Sequence, residues 1–359
     1  MLTFGYVRAS QLSGRIVKFP ERHFDLLLTV GSWEVRSLAI GHWSRISAEK
    51  ALILRFKSLR DDAAKDRNIK VLTEMLGSQL ECSVLHLPAT TEMSGAFDIV
   101  GRELSLVKGL LGRKLRVCVD ISTMPRSLIA FLLLMGFRSK VLDEVTFFCS
   151  ESEHKETLKL IAGSADGSRS PHVEGSWNLM SIPYGEGVVK GSRHDQIVIS
   201  VGLDTYQLID VVDRIEPEAA IFLTPFRGDE SEMDALAEDR FQTIVARYSS
   251  EFETQRFSRL SVQPYRLDWL GDLSALMKST FVYPDASTLF YPFGPKVHSI
   301  AMSLLALQDE RIAVIGRTPS SYYQRAVEAT DYGHLIDLVD LSSMSSLAVR
   351  DRSLVELSA

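Results

Sequence analysis

Two segments of the chain place small or turn-forming residues just before a basic residue at the predicted start of a helix. The residues concerned are Asp120, Ser122, Thr123 and Arg126 in the first segment and Gly294, Lys296 and His298 in the second. The N–H groups at a helix start favour an anion, and a neighbouring arginine or lysine adds charge-assisted hydrogen bonds. Both segments are therefore candidate phosphate-binding turns.

A glycine with nearby small or polar residues ends an apolar run in each half of the chain. These residues are Gly31 and Ser32 in the first half and Gly202, Asp204 and Thr205 in the second. In an open parallel sheet, ligands bind beyond the carboxyl ends of the strands, where the strand order reverses. The sequence therefore predicts one ligand crevice in each half, lined by these residues and by the basic turns.

Each of these residues also has a purely structural interpretation. Ser122 or Thr123 could be a helix N-cap, which needs a side-chain oxygen and no ligand. Arg126 and Lys296 could be solvated cations, although a cation at a helix start opposes the helix dipole. A lone histidine such as His298 is more often a structural hydrogen-bonding group than a catalyst. The sequence leaves both interpretations open.

Further polar and aromatic residues lie near the predicted crevices. Arg55, Lys57 and Arg227 follow the second predicted strand of each half, where they either face the crevice or are simply exposed. Tyr322 and Tyr323 could stack on a nucleobase, as aromatic side chains do in nucleic-acid recognition, or pack in a core or an interface.

Apolar runs typical of buried strands alternate with amphipathic segments typical of helices along the whole chain. In the first half the predicted strands are Phe24–Val30, Ala51–Phe56, Ser83–Pro88, Leu115–Asp120 and Val145–Cys149, and the predicted helices are 32–46, 61–80, 92–111 and 126–137. In the second half the predicted strands are Ile197–Val201, Ala219–Leu223, Val262–Leu267, Thr288–Tyr291 and Ile312–Gly316, with helices at 229–257 and 296–307. This alternation predicts an α/β fold of three-layer, Rossmann-like domains with mainly parallel sheets.

Equivalent residues recur at a nearly constant spacing, which indicates a duplication. Gly31 and Gly202 are 171 positions apart, and Arg126 and Lys296 are 170 positions apart. Phe56 and Phe226 also differ by 170 positions, so three matches fall in register. Two unrelated α/β domains are the alternative.

The boundary between the predicted domains follows from the last strand of each half. Trp177–Ile182 is expected to complete the first half, with His334–Val339 as its counterpart in the second. Gly185–Gly191 is then the linker. The predicted domains are residues 1–190 and 191–359.

Composition excludes several classes of protein. The 359 residues carry 40 basic and 46 acidic side chains, a net charge of −6, which disfavours binding of extended duplex nucleic acid. The three cysteines, Cys82, Cys118 and Cys149, form no metal-ligand pair and suit a reducing cytosol. No signal peptide is visible, and the longest apolar run, Leu128–Phe137, is about half of the ~20 residues that a membrane span needs. A cytoplasmic protein without membrane contact is therefore expected.

No cofactor or metal motif is present. The sequence has no GxxxxGK[ST] or GxGxxG phosphate loop, no HExxH or GxSxG motif and no cluster of cysteine and histidine ligands. We therefore expect neither a metal nor a cofactor.

The order of elements and the two turns resemble the CARF family of Rossmann-like sensors associated with CRISPR systems. That family has a glycine and a small polar residue after the first strand, as in Val30-Gly31-Ser32, and a turn such as D-x-[ST]-G-G-[ST]-K after the fourth. Asp120-Ile121-Ser122-Thr123-Met124-Pro125-Arg126 occupies the place of that turn in the first half. Val201-Gly202-Leu203-Asp204 and Phe293-Gly294-Pro295-Lys296 occupy the two places in the second half.

The resemblance implies a nucleotide-binding sensor or regulatory subunit of a prokaryotic antiviral defence system. Such families bind a nucleotide or cyclic oligonucleotide across a pair of domains, and a homodimer or an effector protein is the expected partner. One alternative is a metal-independent nucleotide phosphodiesterase similar to the CARF-like ring nucleases, with Ser32, Arg126 and Lys296 stabilising the phosphodiester. A partner-binding subunit of a larger assembly, with no ligand, is the other alternative.

Overall fold

The computed structural model of the protein describes two mainly parallel β-sheets with helices on both faces. The described residues are 4–13, 22–43, 46–58, 62–152, 173–188, 195–202, 206–226, 232–248, 255–261, 269–322 and 329–340. The predicted α/β fold class of two Rossmann-like, mainly parallel sheets is confirmed.

The first sheet is built mostly from the first half of the chain. Its strands are β1 (Phe4–Ser13), β2 (His23–Val30), β3 (Ser47–Phe56), β4 (Glu81–Leu87), β5 (Leu115–Asp120), β6 (Leu142–Ser152) and β13 (Ala329–Asp340). Their order across the sheet is β1-β13-β6-β5-β2-β3-β4. Strands β2 to β6 are parallel, and their near-continuous apolar sequences suit a sheet that is covered on both faces.

The second sheet repeats this arrangement. Its strands are β7 (Val173–Ser181), β8 (Gln196–Ser200), β9 (Ala219–Phe226), β10 (Gln255–Ser261), β11 (Thr288–Pro292) and β12 (Ile312–Tyr322). Their order is β10-β9-β8-β11-β12-β7, so β8 takes the place of β2 and β11 the place of β5. Gly31 and Gly202 follow the equivalent strands, and Arg126 and Lys296 begin equivalent helices, as the predicted duplication requires.

The two halves exchange their last strands. Strand β7 pairs antiparallel with β12 of the second sheet, while β13 pairs antiparallel with β6 of the first. The prediction that Trp177–Ile182 completes the first half is therefore wrong, as is the corresponding prediction for His334–Val339. Each sheet therefore contains one strand from the other side of residue 190. The division at that residue describes the duplicated sequence units and stays a proposal.

The helices form three layers around the two sheets. They are α1 (Ala39–Trp43), α2 (Ala63–Gly77), α3 (Met93–Leu111), α4 (Arg126–Arg138), α5 (Tyr206–Ile215), α6 (Glu232–Tyr248), α7 (Trp269–Ser279) and α8 (Lys296–Gln308). Apolar residues of α1 and α2 pack on the outer face of the first sheet, and those of α5 and α6 on the outer face of the second. Helices α3, α4, α7 and α8 share one large core between the sheets, and α4 and α8 pack directly against each other.

Some predicted elements differ from the observed ones. The predicted helix 32–46 is a loop, a 3-10 turn at Val35–Leu38 and the short α1, because Ser32 accepts a hydrogen bond from the Glu34 amide instead of entering a helix. The predicted helix 229–257 ends at Tyr248, and its last residues belong to β10. The predicted strand Val262–Leu267 lies outside the described residues. Neither β1 nor α7 was expected.

Within the described part of the chain, no helix has both the length and the apolar sequence needed to cross a membrane.

Candidate functional site

The turn after β5 is held by a network of buried hydrogen bonds. Asp120, the last residue of β5, accepts hydrogen bonds from the Ser122 amide at 2.9 Å and the Thr29 hydroxyl at 3.0 Å. The Ser122 hydroxyl oxygen accepts from the Ser150 amide at 2.8 Å, and the Thr123 hydroxyl donates to the Val30 carbonyl at 3.0 Å. These hydroxyl groups therefore tie the turn to the neighbouring strands.

Helix α4 begins without a side-chain cap. Its N-cap is Pro125, an extended residue with no side-chain hydrogen bond, so the interpretation of Ser122 or Thr123 as N-caps is wrong. Helix α8 begins in the same way at Pro295. Proline suits this position because its missing N–H would have had no partner there. Two uncapped helix starts thus occupy equivalent places in the two halves.

Burial raises the pKa of Asp120 above its usual range. The carboxyl group is almost fully buried, and desolvation disfavours its charged form. Hydrogen bonds from Ser122 and Thr29, and the charge of Lys296, partly offset that effect. Asp120 is therefore a structural acceptor for its own turn.

The second half holds its turn with a serine and a histidine. The Ser200 hydroxyl accepts a hydrogen bond from the Gly294 amide at 3.0 Å and lies 2.7 Å from Nδ1 of His298. Gly294 must be glycine, because a Cβ there would lie 2.2 Å from the Ser200 hydroxyl and 2.5 Å from the Val201 carbonyl. Burial, aided by the charge of Arg126, lowers the pKa of His298 to about 3.

Arg126 and Lys296 each reach into the other half of the molecule. The Arg126 guanidinium Nε donates to the Gly294 carbonyl, and the Lys296 ammonium donates to the carbonyls of Ile121 and Ser122. Each basic residue thus begins a helix in one half and binds the turn of the other half. The interpretation of both as solvated cations is wrong.

A third cation, Arg36, lies close to Lys296. Arg36 pairs with Glu34, and both side chains are mostly buried. Burial, followed by the charges of Arg36 and Arg126, lowers the pKa of Lys296 to about 7, while Cys149 and Glu34 oppose this shift. We call the region formed by Arg36, Ser122, Arg126, Gly294, Lys296 and His298 the junction.

The loop after β2 is fixed by backbone contacts. The Gly31 amide donates to the Leu54 carbonyl at 3.0 Å, and the Asn68 side chain donates to the Ser32 carbonyl at 2.9 Å. Ser32 is 7% exposed. A Cβ at Gly31 would lie 2.3 Å from Ile69, so α2 approaches this loop too closely for any larger residue.

The remaining predicted residues lie beside the second turn, away from the junction or outside the described residues. Gly202 packs against the Phe293 carbonyl, where a Cβ would lie 2.9 Å away. Asp204 and Thr205 lie outside the described residues, as do Arg227 and Tyr323. Arg55 forms ion pairs with Asp62 and Asp66 on the outer side of β3, and Lys57 is exposed.

Sequence reasoning missed Glu34, Arg36 and Ser200. Arg36 and Glu34 follow the first strand of the first half, the place where the predicted crevice begins. Ser200 is equivalent to Thr29, since the two are 171 positions apart. Because the sequence marked neither Thr29 nor its neighbours in the strand as candidates, the repeat spacing gave no indication of Ser200.

An arginine lies between two aromatic rings beside the second turn. The Arg317 guanidinium carbon is 3.2 Å from the centre of the Trp177 ring and 3.3 Å from that of Phe293. Trp177 belongs to the exchanged strand β7, and Phe293 precedes Gly294 in the turn. Cation–π contacts of this kind contribute about 0.5–2 kcal/mol each. This cation–π cluster of Trp177, Arg317 and Phe293 therefore joins the exchanged strand to the junction.

Metal ligands do not gather in the part of the chain that the structure describes: no three His, Cys, Asp or Glu side chains there could hold an ion together. Arg36, Arg126 and Lys296 bring positive charge to the junction, and cations of this kind form charge-assisted hydrogen bonds with anions.

Comparisons with known proteins do not assign a family. No family model matches the chain, and no curated protein matches it. One solved structure, the cytoplasmic domain of a prokaryotic cation chloride cotransporter, is 11% identical with a TM-score of 0.24, over 83% of this chain and 96% of that one. A putative universal stress protein from Pseudomonas aeruginosa UCBPP-PA14 is 11% identical with a TM-score of 0.24, over 82% and 92%. Similarity at this level carries no argument about function, and the CARF resemblance remains a hypothesis.

Proposed function

We propose that the protein binds a phosphate-containing nucleotide at the junction and acts as a sensor or regulatory subunit. One observation supports this most: Arg36, Arg126 and Lys296 gather where α4 and α8 begin without side-chain caps. Burial first, and then the charges of Arg36 and Arg126, lower the pKa of Lys296. An anion bound there would relieve the repulsion and accept hydrogen bonds from the cations.

The position of the junction agrees with this proposal. Strands β2 and β5 are neighbours in the first sheet, and β8 and β11 in the second, so the strand order reverses at these points in both. Ligands of open parallel sheets bind beyond the carboxyl ends of the strands at such points. Because Arg126 and Lys296 each bind the opposite turn, the two predicted crevices become one shared site in this proposal.

Calorimetric titration of the full chain with linear and cyclic nucleotides tests the proposal. The panel contains AMP, ATP, GTP, cyclic dinucleotides and cyclic oligoadenylates, with inorganic phosphate for comparison. Losing one charge-assisted hydrogen bond typically costs about 1.5–3 kcal/mol, or roughly 10- to 150-fold in affinity. Arg126→Ala and Lys296→Ala should each weaken binding on that scale.

Arg138→Ala is the matched control. Arg138, at the other end of α4, also donates to backbone carbonyls, those of Tyr184 and Ala306. Through Ala306 it joins α4 to the second half as Arg126 does, but away from the junction. If Arg138→Ala weakened binding as much as Arg126→Ala, the effect would come from general loosening. Failure of every nucleotide to bind the wild type would refute the proposal.

A second candidate function is metal-independent cleavage of the bound nucleotide. The observation in its favour is the pKa of Lys296 near 7, since an amine with that pKa can both donate and accept a proton at neutral pH. Chromatography of nucleotides incubated with the protein and EDTA would detect the products. If the wild type cleaves the nucleotide and Lys296→Met leaves it intact, the reaction belongs to this chain rather than to a contaminating nuclease.

The cellular role is part of the same proposal. The CARF resemblance implies an antiviral defence system and a partner, either a second copy of the chain or an effector protein. Light scattering of the purified protein with and without the bound nucleotide would show whether it forms a homodimer and whether the ligand alters that state.

A further inference from the structure

One buried ring nitrogen at the junction has no hydrogen-bond partner within the described part of the chain. His298 is 0% exposed, and its Nε2 atom is buried without a hydrogen-bond partner there. The Ser299 hydroxyl, in the same turn of α8, is also buried without one. Buried polar groups are almost always satisfied, so an unsatisfied one calls for a physical explanation.

The hydrogen bonds around Ser200 favour one of the two neutral tautomers of His298. The Gly294 amide can only donate, so the Ser200 oxygen accepts from it. The Ser200 hydroxyl hydrogen is then available to Nδ1 of His298, 2.7 Å away. A neutral imidazole that accepts at Nδ1 carries its proton on Nε2. In that arrangement the unpartnered atom is an N–H donor. The opposite arrangement, in which Nδ1–H donates to the second lone pair of the Ser200 oxygen, would leave the hydroxyl hydrogen with no acceptor among the described residues.

The neighbours of the ring belong to the junction. Ser200 lies at the end of β8 and takes up the Nδ1 edge of the ring, so Nε2 points away from that strand. Arg126, which begins α4 and binds the Gly294 carbonyl, is close enough for its charge to disfavour a second proton on the ring. His298 also lies in the first turn of α8, which has no side-chain cap.

We propose that Ser200 and the Gly294 amide hold His298 as the Nε2–H tautomer, so that this N–H donates to an anionic oxygen of the ligand. The inference rests on the proposed function, because the acceptor is the nucleotide phosphate at the junction. Ser200 acts as a positioning residue, and His298 contacts the ligand. No proton is transferred, since the imidazole only donates a hydrogen bond.

The donor belongs to one half only. The residue equivalent to His298 is Leu128, 170 positions earlier, which is fully buried. The residue equivalent to Ser200 is Thr29, whose hydroxyl serves Asp120 instead. The duplicated turns therefore present different groups, and the ligand would be held by a neutral donor from the second half alone.

NMR of the full chain labelled with 15N-histidine tests the tautomer directly. Long-range proton–nitrogen spectra distinguish the Nε2–H and Nδ1–H forms, and comparison with His298→Gln assigns the signal among the eight histidines. We expect the Nε2–H form at pH 7 in the free protein. The nucleotide that binds most tightly in the calorimetric panel, or inorganic phosphate, should shift the Nε2 signal. A mixture of tautomers should appear in Ser200→Ala, and Ser200→Thr should restore the wild-type pattern.

Affinity measurements on matched variants complete the test. His298→Leu removes the donor and should weaken nucleotide binding roughly 10- to 150-fold, as expected for a hydrogen bond to a charged group. His298→Gln keeps an N–H donor at a similar reach and should lose less. Ser303→Ala removes another buried hydroxyl of α8, one that donates to the Ser299 carbonyl at 2.7 Å, and should bind as the wild type does.

The outcomes separate this inference from the proposed function. If a nucleotide binds, but the Nε2 signal stays unchanged at saturation and His298→Leu binds equally well, the inference is overturned and the proposed function stands. An Nδ1–H or doubly protonated ring in the free protein at pH 7 also overturns it. If no nucleotide or phosphate binds the wild type, the proposed function fails, and the role of His298 as a ligand contact fails with it.

Discussion

At the scale of single residues, His298 should make the stability of the protein depend on acid. The folded-state pKa of about 3 lies below the ordinary value of 6.5, so between these pH values the folded state binds fewer protons than the unfolded state. The free energy of unfolding therefore falls as the pH falls from 6.5 towards 3.

Denaturant unfolding of the wild type and of His298→Gln at pH 7 and pH 4 measures this effect. Because glutamine does not titrate, the variant should gain roughly 2–3 kcal/mol relative to the wild type on going from pH 7 to pH 4. An unchanged difference between the two proteins would mean that His298 is protonated as readily in the folded state as in the unfolded chain.

Lys296 should give nucleotide binding its own pH dependence. Its pKa of about 7 means that the ammonium form, which favours an anion, is lost as the pH rises above neutrality. Affinity should fall by up to roughly tenfold per pH unit between pH 7 and pH 9, the limit for one proton. Lys296→Arg stays protonated and should show a flat profile. Parallel profiles for the two proteins would show that another group causes the change.

Gly294 should not tolerate a side chain. A Cβ would approach the Val201 carbonyl within 2.5 Å, a backbone atom that cannot move aside. Overpacking of this kind costs about 1–3 kcal/mol, so Gly294→Ala should lower the melting temperature. Gly109→Ala is the control, because a Cβ at that position in α3 meets nothing within 4 Å and alanine favours a helix by up to about 1 kcal/mol. Equal stability of the two variants would contradict the close approach.

At the scale of elements, the exchanged strand β7 depends on contacts that reach the junction. It pairs antiparallel with β12, and Arg317 lies between the rings of Trp177 and Phe293, which are nearly perpendicular to each other. The same strand is thus held by backbone hydrogen bonds to β12 and by the cation–π cluster, which includes Phe293 of the turn before α8. We therefore expect a change in that turn to affect β7 before the other strands of the second sheet.

Hydrogen exchange would measure how firmly this strand is held. Trp177→Ala removes one ring of the cation–π cluster and should speed hydrogen exchange of the β7 amides. Exchange in β2 and β3 of the first sheet should change little. Trp33→Ala, in the loop after β2, is the control and should leave β7 unchanged. If both variants accelerated exchange throughout the protein, the cation–π cluster would contribute to global stability rather than to the local stability of β7.

At the scale of the whole molecule, the strand exchange makes each half depend on the other. The first sheet contains β13 and the second contains β7, and the inner helices share one core. Separately produced fragments 1–190 and 191–359 should therefore be poorly folded alone, because each would expose an unpaired sheet edge and an uncovered inner face.

Co-expression of the two fragments with different tags tests this dependence. They should purify together and recover the circular dichroism and melting behaviour of the full chain. A fragment 1–190 that is monomeric and melts cooperatively by itself would show that the first half folds without β13.

The sequence alone determined the local structure and the repeat. Near-continuous apolar runs such as Phe24–Val30 and Ala219–Leu223 predict buried parallel strands, because only a sheet covered on both faces buries every side chain of a strand. The constant spacing of Gly31 and Gly202, and of Arg126 and Lys296, located equivalent positions. The apolar runs depend on neighbouring residues along the chain, and the repeat depends only on the order of residues in the sequence, which is why both could be predicted.

Only the tertiary structure decided which sheet each exchanged strand joins. β7 is an antiparallel edge strand and β13 lies between β1 and β6, and the sequence pattern of either strand fits beside the last parallel strand of either sheet. The edge strand β1 and the strand β10 mix polar and apolar residues, and their sequences gave no clear indication of a strand. The packing of the two halves then selects the partner.

The same limit applies to the candidate site. The sequence marked Arg126, Lys296 and His298 as candidates, but it could not show that the two cations bind the turns of the opposite halves or that His298 lies against Ser200. Those contacts join residues about 100 to 175 positions apart, and a side chain's partner across such a separation depends on how α4 packs against α8.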